Sequence, residues 1–423
     1  MKPPFYYKTN RLFCENLDIE TFAQTVPTPF YLYSKSEIGY NCQSVWDAAN
    51  IVEGIDLLPC YALKANYNPA ILKLVQANGF GADIVSGGEL YFAQKAGFPI
   101  EKTVFAGVGK TETEIREALQ KNVHSINIES EEELHLVARL ATEEKKIQRI
   151  AIRINPDIDA KTHAYISTGL HTNKFGVSTE QALSMYQEAQ KYKSLNAEGI
   201  HVHIGSQIDK DGPYKATAEK LKSFISKLAS KNISIKYIDL GGGIGINYEN
   251  TLSEPGEPRT YINEILPKYL SAFKGFKLKL FVELGRSIIG SAGILVSKVL
   301  IRKKTPLKNF IIVDAAMNNL MRPSLYEASH QIAPLKKENY ETIVADIVGP
   351  VCESGDFLAK EIYIEDIPSG EMIAVASTGA YGQVLSSNYN LRPTIPEYLV
   401  DGDKVQCIFK GTTVNDIANN YNW

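Results

Sequence analysis

Between residues 58 and 284, short apolar runs recur at intervals long enough to hold a helix. This alternation constrains the fold more than any other feature of the chain. The runs are LPCYAL (58–63), FGADIV (80–85), TVFAG (103–107), SINIE (125–129), IAIRIN (150–155), IHVHIG (200–205), IKYIDL (235–240) and LKLFVEL (278–284), eight in all. Between them lie amphipathic stretches such as PAILKLVQANG, GELYFAQKAG, ETEIREALQKN and EEELHLVARLATEEKK, with apolar residues at helical spacing and Gly or Asn near several ends. Parallel strands need crossover helices, and a closed barrel removes both exposed edges. Eight βα units over about 250 residues therefore predict an α/β fold of the TIM-type (β/α)8 kind. An open doubly wound sheet is the competing arrangement.

After about residue 286 the rhythm changes. SAGILVSKVLIRK, FIIVDAA, TIVADIVGP, EIYIEDI, MIAVAST and VQCIF are short alternating runs with turn signals between them. They predict a C-terminal β-rich domain of sandwich or Greek-key type, joined by the N-terminal run PFYLYS. The expected boundaries are 36–286 for the barrel and 1–35 with 287–423 for the β-rich domain.

Composition narrows the partners. The chain has 423 residues, 44% apolar and 22% charged, as an ordinary globular protein does. With 45 basic and 48 acidic residues the net charge is −3, so no global basic field is present to hold nucleic acid or an anionic membrane. The start, MKPPFYYKTNRLF, has no apolar core of signal-peptide length, and runs such as IIGSAGILV fall short of a span of about 20 residues, so neither export nor membrane insertion is expected. Cys14, Cys42, Cys60, Cys352 and Cys407 are scattered and form no CxxC, which argues against a disulfide framework or a thiolate metal site and for the reducing cytoplasm.

The chemically interesting residues stand where the barrel runs end. Lys64 follows the first, His203 ends the sixth, Gly241 to Gly245 follow the seventh, and Glu283 to Arg286 close the eighth. Active sites of such barrels lie at that C-terminal face, commonly with phosphate at the loops after strands seven and eight. A lysine after a strand is usually solvated, but a partly desolvated one has a lowered pKa and forms Schiff bases. GGGIG is either a plain tight turn or a nest of backbone N–H groups for a phosphate. It matches the dinucleotide fingerprint poorly, since Ile246 fills the third glycine position. Arg286 would add a cationic fork beside it. His203 and His201 form an HxH pair that shares one face of a strand, yet no third ligand at metal spacing accompanies them, so no metal is expected. The polar segment NPDIDAKTHAYISTGLHTNKFGVS is long enough to point to a function. In the β-rich domain, GPVCESGD sets Cys352 and Glu353 in a glycine-flanked loop, where a reactive thiol competes with the usual packed one. MRPSLYEASH offers Arg322 and Tyr326, and TGAYG offers Tyr381.

Taken in order, these segments resemble the diaminopimelate decarboxylase branch of the pyridoxal-phosphate-dependent decarboxylases, which use an alanine-racemase-like (fold type III) barrel. The match runs through YALKAN, GADIVSGGEL, RINPDIDAKTHAYISTGLHTNKFG, HIGSQ, DLGGGIG, ELGRS, MRPSLYEASH, CESGD and GAYG, nine motifs over most of the chain. NPDIDAKTHAYISTG and MRPSLYEASH look like the diaminopimelate branch rather than the ornithine or arginine decarboxylases. Leu284 departs from the family, which usually has proline there; the change loosens the backbone beside the phosphate loop.

The resemblance implies roles. Lys64 would anchor pyridoxal 5'-phosphate, His203 would stack on its ring and Glu283 would pair with the ring nitrogen. Ser206, Gly243, Glu283, Leu284, Gly285, Arg286 and Tyr381 would bind the cofactor, mainly its phosphate. Arg286, Arg322, Tyr326, Glu353 and Tyr381 would read the substrate. Cys352 would deliver a proton, and Cys352 with Glu353 would come from the neighbouring chain of a homodimer. The implied reaction is decarboxylation of meso-2,6-diaminopimelate to L-lysine and carbon dioxide, the last step of lysine biosynthesis. The alternatives are a decarboxylase of ornithine, arginine or D-lysine, or a non-catalytic cofactor-binding relative of the same fold.

Overall fold

A computed structural model describes residues 3–158, 174–249, 251–252 and 259–422. Most of the polar insertion, DAKTHAYISTGLHTN (159–173), lies outside the described residues. The chain forms two compact units, residues 41–245 with 260–287 and residues 1–40 with 246–259 and 288–423.

The first unit is the barrel. Its strands are β1 (Asp56–Ala62), β2 (Gly81–Ile84), β3 (Thr103–Phe105), β4 (Ser125–Ile128), β5 (Gln148–Ile154), β6 (Leu195–Val202), β7 (Tyr237–Asp239) and β8 (Lys279–Leu284). Each is parallel to its neighbours in sequence, and β8 closes onto β1 with Glu283 opposite Cys60. Closure rules out the doubly wound sheet. The crossover helices start where the sequence supplies side-chain caps. Thr111 and Glu114 form a reciprocal capping box before Glu112–Lys121, and Ser86 and Ser130 each accept the backbone N–H three residues on. Leu58, Cys60, Val104, Ala151, Tyr237 and Phe281 pack together in a buried cluster drawn from five of the strands. Above that apolar cluster the strand ends are free to carry polar residues.

In the second unit, nine strands form one mixed sheet. Its main path runs Phe357–Glu365, Thr342–Val348, Asn309–Val313, Gly293–Lys304, Phe30–Ser34, Glu397–Asp401 and Lys404–Phe409. PFYLYS thus supplies a central strand, antiparallel to Gly293–Lys304 and parallel to Glu397–Asp401. Phe5–Lys8, Arg11–Cys14 and Leu17–Asp18 make a separate three-stranded sheet.

Residues 246–259 were expected in the barrel domain but cluster with the β-rich unit. Their side chains explain this. Leu252 belongs to the apolar core of that unit, beside residues such as Phe5, Phe30 and Val296. Arg259 grips the buried Glu37 carboxylate through Nε and Nη2, both at 2.7 Å, and Ser291 Oγ donates to the same carboxylate at 2.9 Å. Breaking such a buried pair by removing one partner costs about 3–5 kcal/mol. Among the described residues, no helix is long and apolar enough to cross a membrane.

Candidate active site

The C-terminal strand ends of the barrel gather an ionisable cluster. Lys64 sits in the 3-10 turn Leu63–Ala65 that ends β1, and its Nζ donates to Asp83 Oδ2 on β2 at 2.9 Å. Asp83 is buried. Burial, reinforced by repulsion from Glu283 and opposed by Lys64, raises its carboxyl to about 7. A carboxyl that titrates near neutrality beside an amine can store the proton that the amine must give up or take back.

Glu283, the second-last residue of β8, is 4% exposed. His201 Nε2 approaches its Oε1 at 3.4 Å, and His203 Nδ1 lies 3.8 Å from Oε2. Burial alone would raise the Glu283 carboxyl, but attraction to His201 and then to Lys64 outweighs it and keeps the group ionised, well below the usual carboxylate range. Among the described residues Oε1 meets no hydrogen-bond partner. His203 behaves oppositely. Burial, with repulsion from Arg153, pushes its imidazole down to about 3, and its Nδ1 accepts the Gly242 N–H at 3.2 Å. The ring is therefore neutral, with its proton on Nε2, and 18% of the side chain remains accessible.

The glycine turn after β7 is shaped by close approach. A Cβ on Gly242 would collide with the Glu283 carbonyl oxygen, so only glycine lets the turn lie against the end of β8. Asp239 Oδ1 ties the turn down by accepting the Gly241 N–H at 3.0 Å, while Oδ2 accepts from Asn127 at 3.1 Å. Burial and repulsion from Glu283 raise the Asp239 carboxyl well above its ordinary range. Gly285 is the second such position: a Cβ there would press on Ala65 and Ala62, the residues around Lys64. Leu284 stands opposite Tyr61 in the ladder, where a proline would remove an N–H. Arg286 Nη2 then donates to Ser206 Oγ at 3.0 Å, so two residues singled out separately by sequence meet.

The family comparisons agree with this geometry. Residues 41–290 match the model of the pyridoxal-dependent decarboxylase pyridoxal-binding domain. The diaminopimelate decarboxylase of Aquifex aeolicus is 45% identical over 408 residues, covering 96% of this chain and 95% of its own. The crystal structure of the Helicobacter pylori diaminopimelate decarboxylase complexed with L-lysine is 40% identical with a TM-score of 0.89, covering 95% of this chain and 98% of its own. That of the M. jannaschii enzyme in complex with L-lysine is 34% identical with a TM-score of 0.92, covering 99% and 98%. This chain belongs to the diaminopimelate decarboxylases.

The family's cofactor, pyridoxal phosphate, fits the residues present. A buried, ionised carboxylate oxygen without a hydrogen-bond partner suits a protonated pyridine nitrogen, and Lys64, with 36% of its side chain accessible, offers an amine. The Arg286–Ser206 pair and the glycine turn supply donors and open backbone for a phosphate. His201, Asp239 and Glu283 also lie with ligand atoms within 4.8 Å of one another, a grouping that could hold a cation by geometry. Sequence spacing had shown no third partner for the HxH pair, because Asp239 joins only through the β6–β7 register that sets it opposite His201. Burial and repulsion from Glu283 disfavour the charged form of Asp239 that a cation would need, so the trio serves as a support for Glu283.

The remaining candidates of the diaminopimelate decarboxylase pattern lie in the β-rich unit. Arg322 and Tyr326 begin and end the helix Arg322–Tyr326, and Ser324 Oγ donates to the Gly355 carbonyl at 2.5 Å, joining this helix to the Cys352 loop. Cys352 and Glu353 are exposed. Their loop is held by Asp356, which accepts from the Met317 and Val351 N–H groups, and by Asn390, which accepts the Cys352 N–H at 2.8 Å. Tyr389 donates to Glu353 Oε2 at 3.4 Å. Tyr381 has a left-handed backbone (φ 56°), uncommon for a tyrosine and the kind of local strain that functional positions retain. Asp83, Asp239, Asn390 and Tyr389 escaped the sequence reading; Asp83, inside the GADIVSGGEL motif, and Asp239, the first residue of DLGGGIG, carried a signal that could have found them.

Proposed function

We propose that this chain is a pyridoxal-phosphate-dependent carboxy-lyase that converts meso-2,6-diaminopimelate to L-lysine and carbon dioxide. The observation that carries the reading is the ionised, buried Glu283 beside a neutral His203 and the Lys64–Asp83 pair at the mouth of the barrel. When bound, the cofactor supplies an electron sink for the pair left behind as carbon dioxide departs. Lys64 would hold the cofactor covalently through its amine, and Asp83, hydrogen-bonded to that amine at 2.9 Å, would hold or return the amine's proton. Glu283 would keep the ring nitrogen protonated, and the neutral His203 imidazole, 18% of its side chain accessible, would stack on the ring. Ser206, Gly243, Leu284, Gly285, Arg286 and Tyr381 hold the phosphate end.

Arg286 of the barrel and residues of the second unit would read the substrate. Arg286 and Arg322 take the distal carboxylate, Glu353 takes the distal ammonium, and Tyr326 and Tyr381 flank them. Cys352, an exposed thiol, gives its proton to the carbon that lost carbon dioxide. We place Cys352 and Glu353 in the site of a neighbouring chain, which makes the working unit a homodimer. The reaction is assigned to the cytoplasm, in keeping with five cysteines that are all unpaired. The test is carbon dioxide release from a panel of diamino acids and their stereoisomers, with products identified by mass. Release from the meso isomer of diaminopimelate, giving lysine, is expected; release only from ornithine, arginine or D-lysine would overturn the substrate.

A further inference from the structure

The segment from Met321 to Gln331 folds back on itself. Arg322 opens its five-residue helix, and Glu327, in the left-handed region at φ 53°, ends it. The returning chain brings His330 against that arginine, and Arg322 Nη1 donates to His330 Nε2 at 2.8 Å. A guanidinium only donates, so Nε2 must be the unprotonated nitrogen. Nδ1 then carries the ring proton and donates it to the Ala376 carbonyl at 2.8 Å. The next residue repeats the attachment, because the Gln331 carbonyl accepts the Ala376 N–H at 2.9 Å. Ala376 directly follows the strand Met372–Val375, so the imidazole is fixed to the main sheet.

Tyr248 completes the mount. Its ring centroid lies 4.8 Å from the Arg322 guanidinium carbon, and it meets the His330 ring edge-on at 5.2 Å and 90°. A contact on the guanidinium face restrains the group without using its in-plane donors. Arg322 and His330 are each 6% exposed, so the arrangement is built into the interior rather than draped over the surface. Tyr248 belongs to the segment 246–259, which gives that excursion out of the barrel a purpose beyond packing.

We propose that His330 is a positioning residue for Arg322, holding the guanidinium in the orientation that presents its fork to the substrate carboxylate. This rests on the reading that Arg322 takes the distal carboxylate. A neutral acceptor suits the task. It sets the direction of the fork without cancelling the charge the substrate needs, whereas an acidic residue at the same place would compete with the substrate.

The test compares His330→Gln, His330→Met and Arg322→Met in the holoenzyme. Gln can place an acceptor oxygen where Nε2 stands, and Met fills the volume without a comparable acceptor. His330→Met is expected to raise KM for diaminopimelate about 10–100-fold, the range for a lost hydrogen bond to a charged group. Its kcat should stay within about 3-fold and its cofactor absorbance unchanged, while His330→Gln recovers most of the KM. An unchanged KM in His330→Met, or a Gln variant no better than Met, overturns the proposal. Arg322→Met separates the two claims. If it leaves KM unaltered, the Arg322 reading fails; if it raises KM and His330→Met does not, only the positioning role fails. Should His330→Met not fold, judged by thermal melting, His330→Glu takes its place: KM must rise despite a competent acceptor, and an unchanged KM overturns the proposal.

Discussion

In the barrel, Lys64, Asp83, His203 and Glu283 come from the ends of four different segments and act on one another through their side chains. In the β-rich unit, Cys352 and Glu353 stand exposed on a loop whose shape is set by backbone hydrogen bonds to Asp356 and Asn390. The first group is a coupled set: the Asp83 carboxyl owes its position to burial, to Glu283 and to Lys64 at once. Changing one member changes the charge state of the others, so barrel substitutions should be non-additive. A loop side chain can be removed with its neighbours left in place. On the proposed roles, anchoring of the cofactor by Lys64 and proton delivery by Cys352 are therefore separable by mutation.

The largest effect that could break this comparison is at Lys64. Lys64→Ala should lower turnover by more than about 10³-fold and abolish the covalent cofactor signal, since both the amine and the charge opposing Asp83 are gone. Absorbance spectra and carbon dioxide release check it, and activity within ten-fold of the parent would contradict it. Cys352→Ala should instead keep the cofactor spectrum while turnover falls roughly 10²–10⁴-fold, the usual contribution of a positioned acid. Loss of the cofactor from that variant would erase the distinction between the units.

Arg322→Lys sharpens the comparison from the substrate side. A point-charge ammonium cannot reproduce a bidentate fork, so KM for diaminopimelate should rise about ten-fold with cofactor affinity unchanged. If cofactor affinity falls and KM does not, Arg322 belongs to the phosphate. Mixing Lys64→Ala and Cys352→Ala chains then asks where the loop acts. With the two residues drawn from opposite chains of a two-fold dimer, half the dimers are hybrids and half of each hybrid's sites are intact. About a quarter of the parent activity should return after subunit exchange. No recovery after verified exchange would place both residues in one chain's site.

The smallest effect concerns stability rather than catalysis. His124 lies among Tyr237 and Phe281, with ring centroids 5.4 and 4.9 Å away, and burial with repulsion from Arg149 lowers it to about 4. The unfolded chain takes up that proton near the ordinary histidine value of about 6.5, while the native chain resists until about 4. The stability this histidine leaves intact is thus full above about 6.5 and lost as pH falls toward 4. His124→Phe keeps an aromatic ring and should flatten the melting temperature over that window by a few degrees, about 2–4 °C per kcal/mol. An equally steep decline would contradict it.

The barrel was legible because eight apolar runs each carry their own local signal, and the catalytic candidates follow those runs directly in sequence. The partners of these candidates were not. Asp239 meets His201 and Glu283 only once β6, β7 and β8 align, a register that no local spacing reveals. The strand Glu397–Asp401 was missed because its five residues, EYLVD, alternate too briefly to stand out. Residues 246–259 follow the glycine turn and look like a barrel loop, while residues that bind them, Glu37 and Gln331, are distant in sequence. Local patterns are written along the chain; long-range partners are set by closure and burial.

The central claim is that the lysine ending β1 carries the cofactor of a decarboxylase. Borohydride reduction of the holoprotein, followed by digestion and mass spectrometry, locates the covalent anchor directly. A single reduced pyridoxyl adduct on the peptide containing Lys64, appearing together with loss of carbon dioxide release from meso-diaminopimelate, is the predicted result. An adduct on another lysine, or an unmodified Lys64 in protein that reduction has inactivated, would contradict the account.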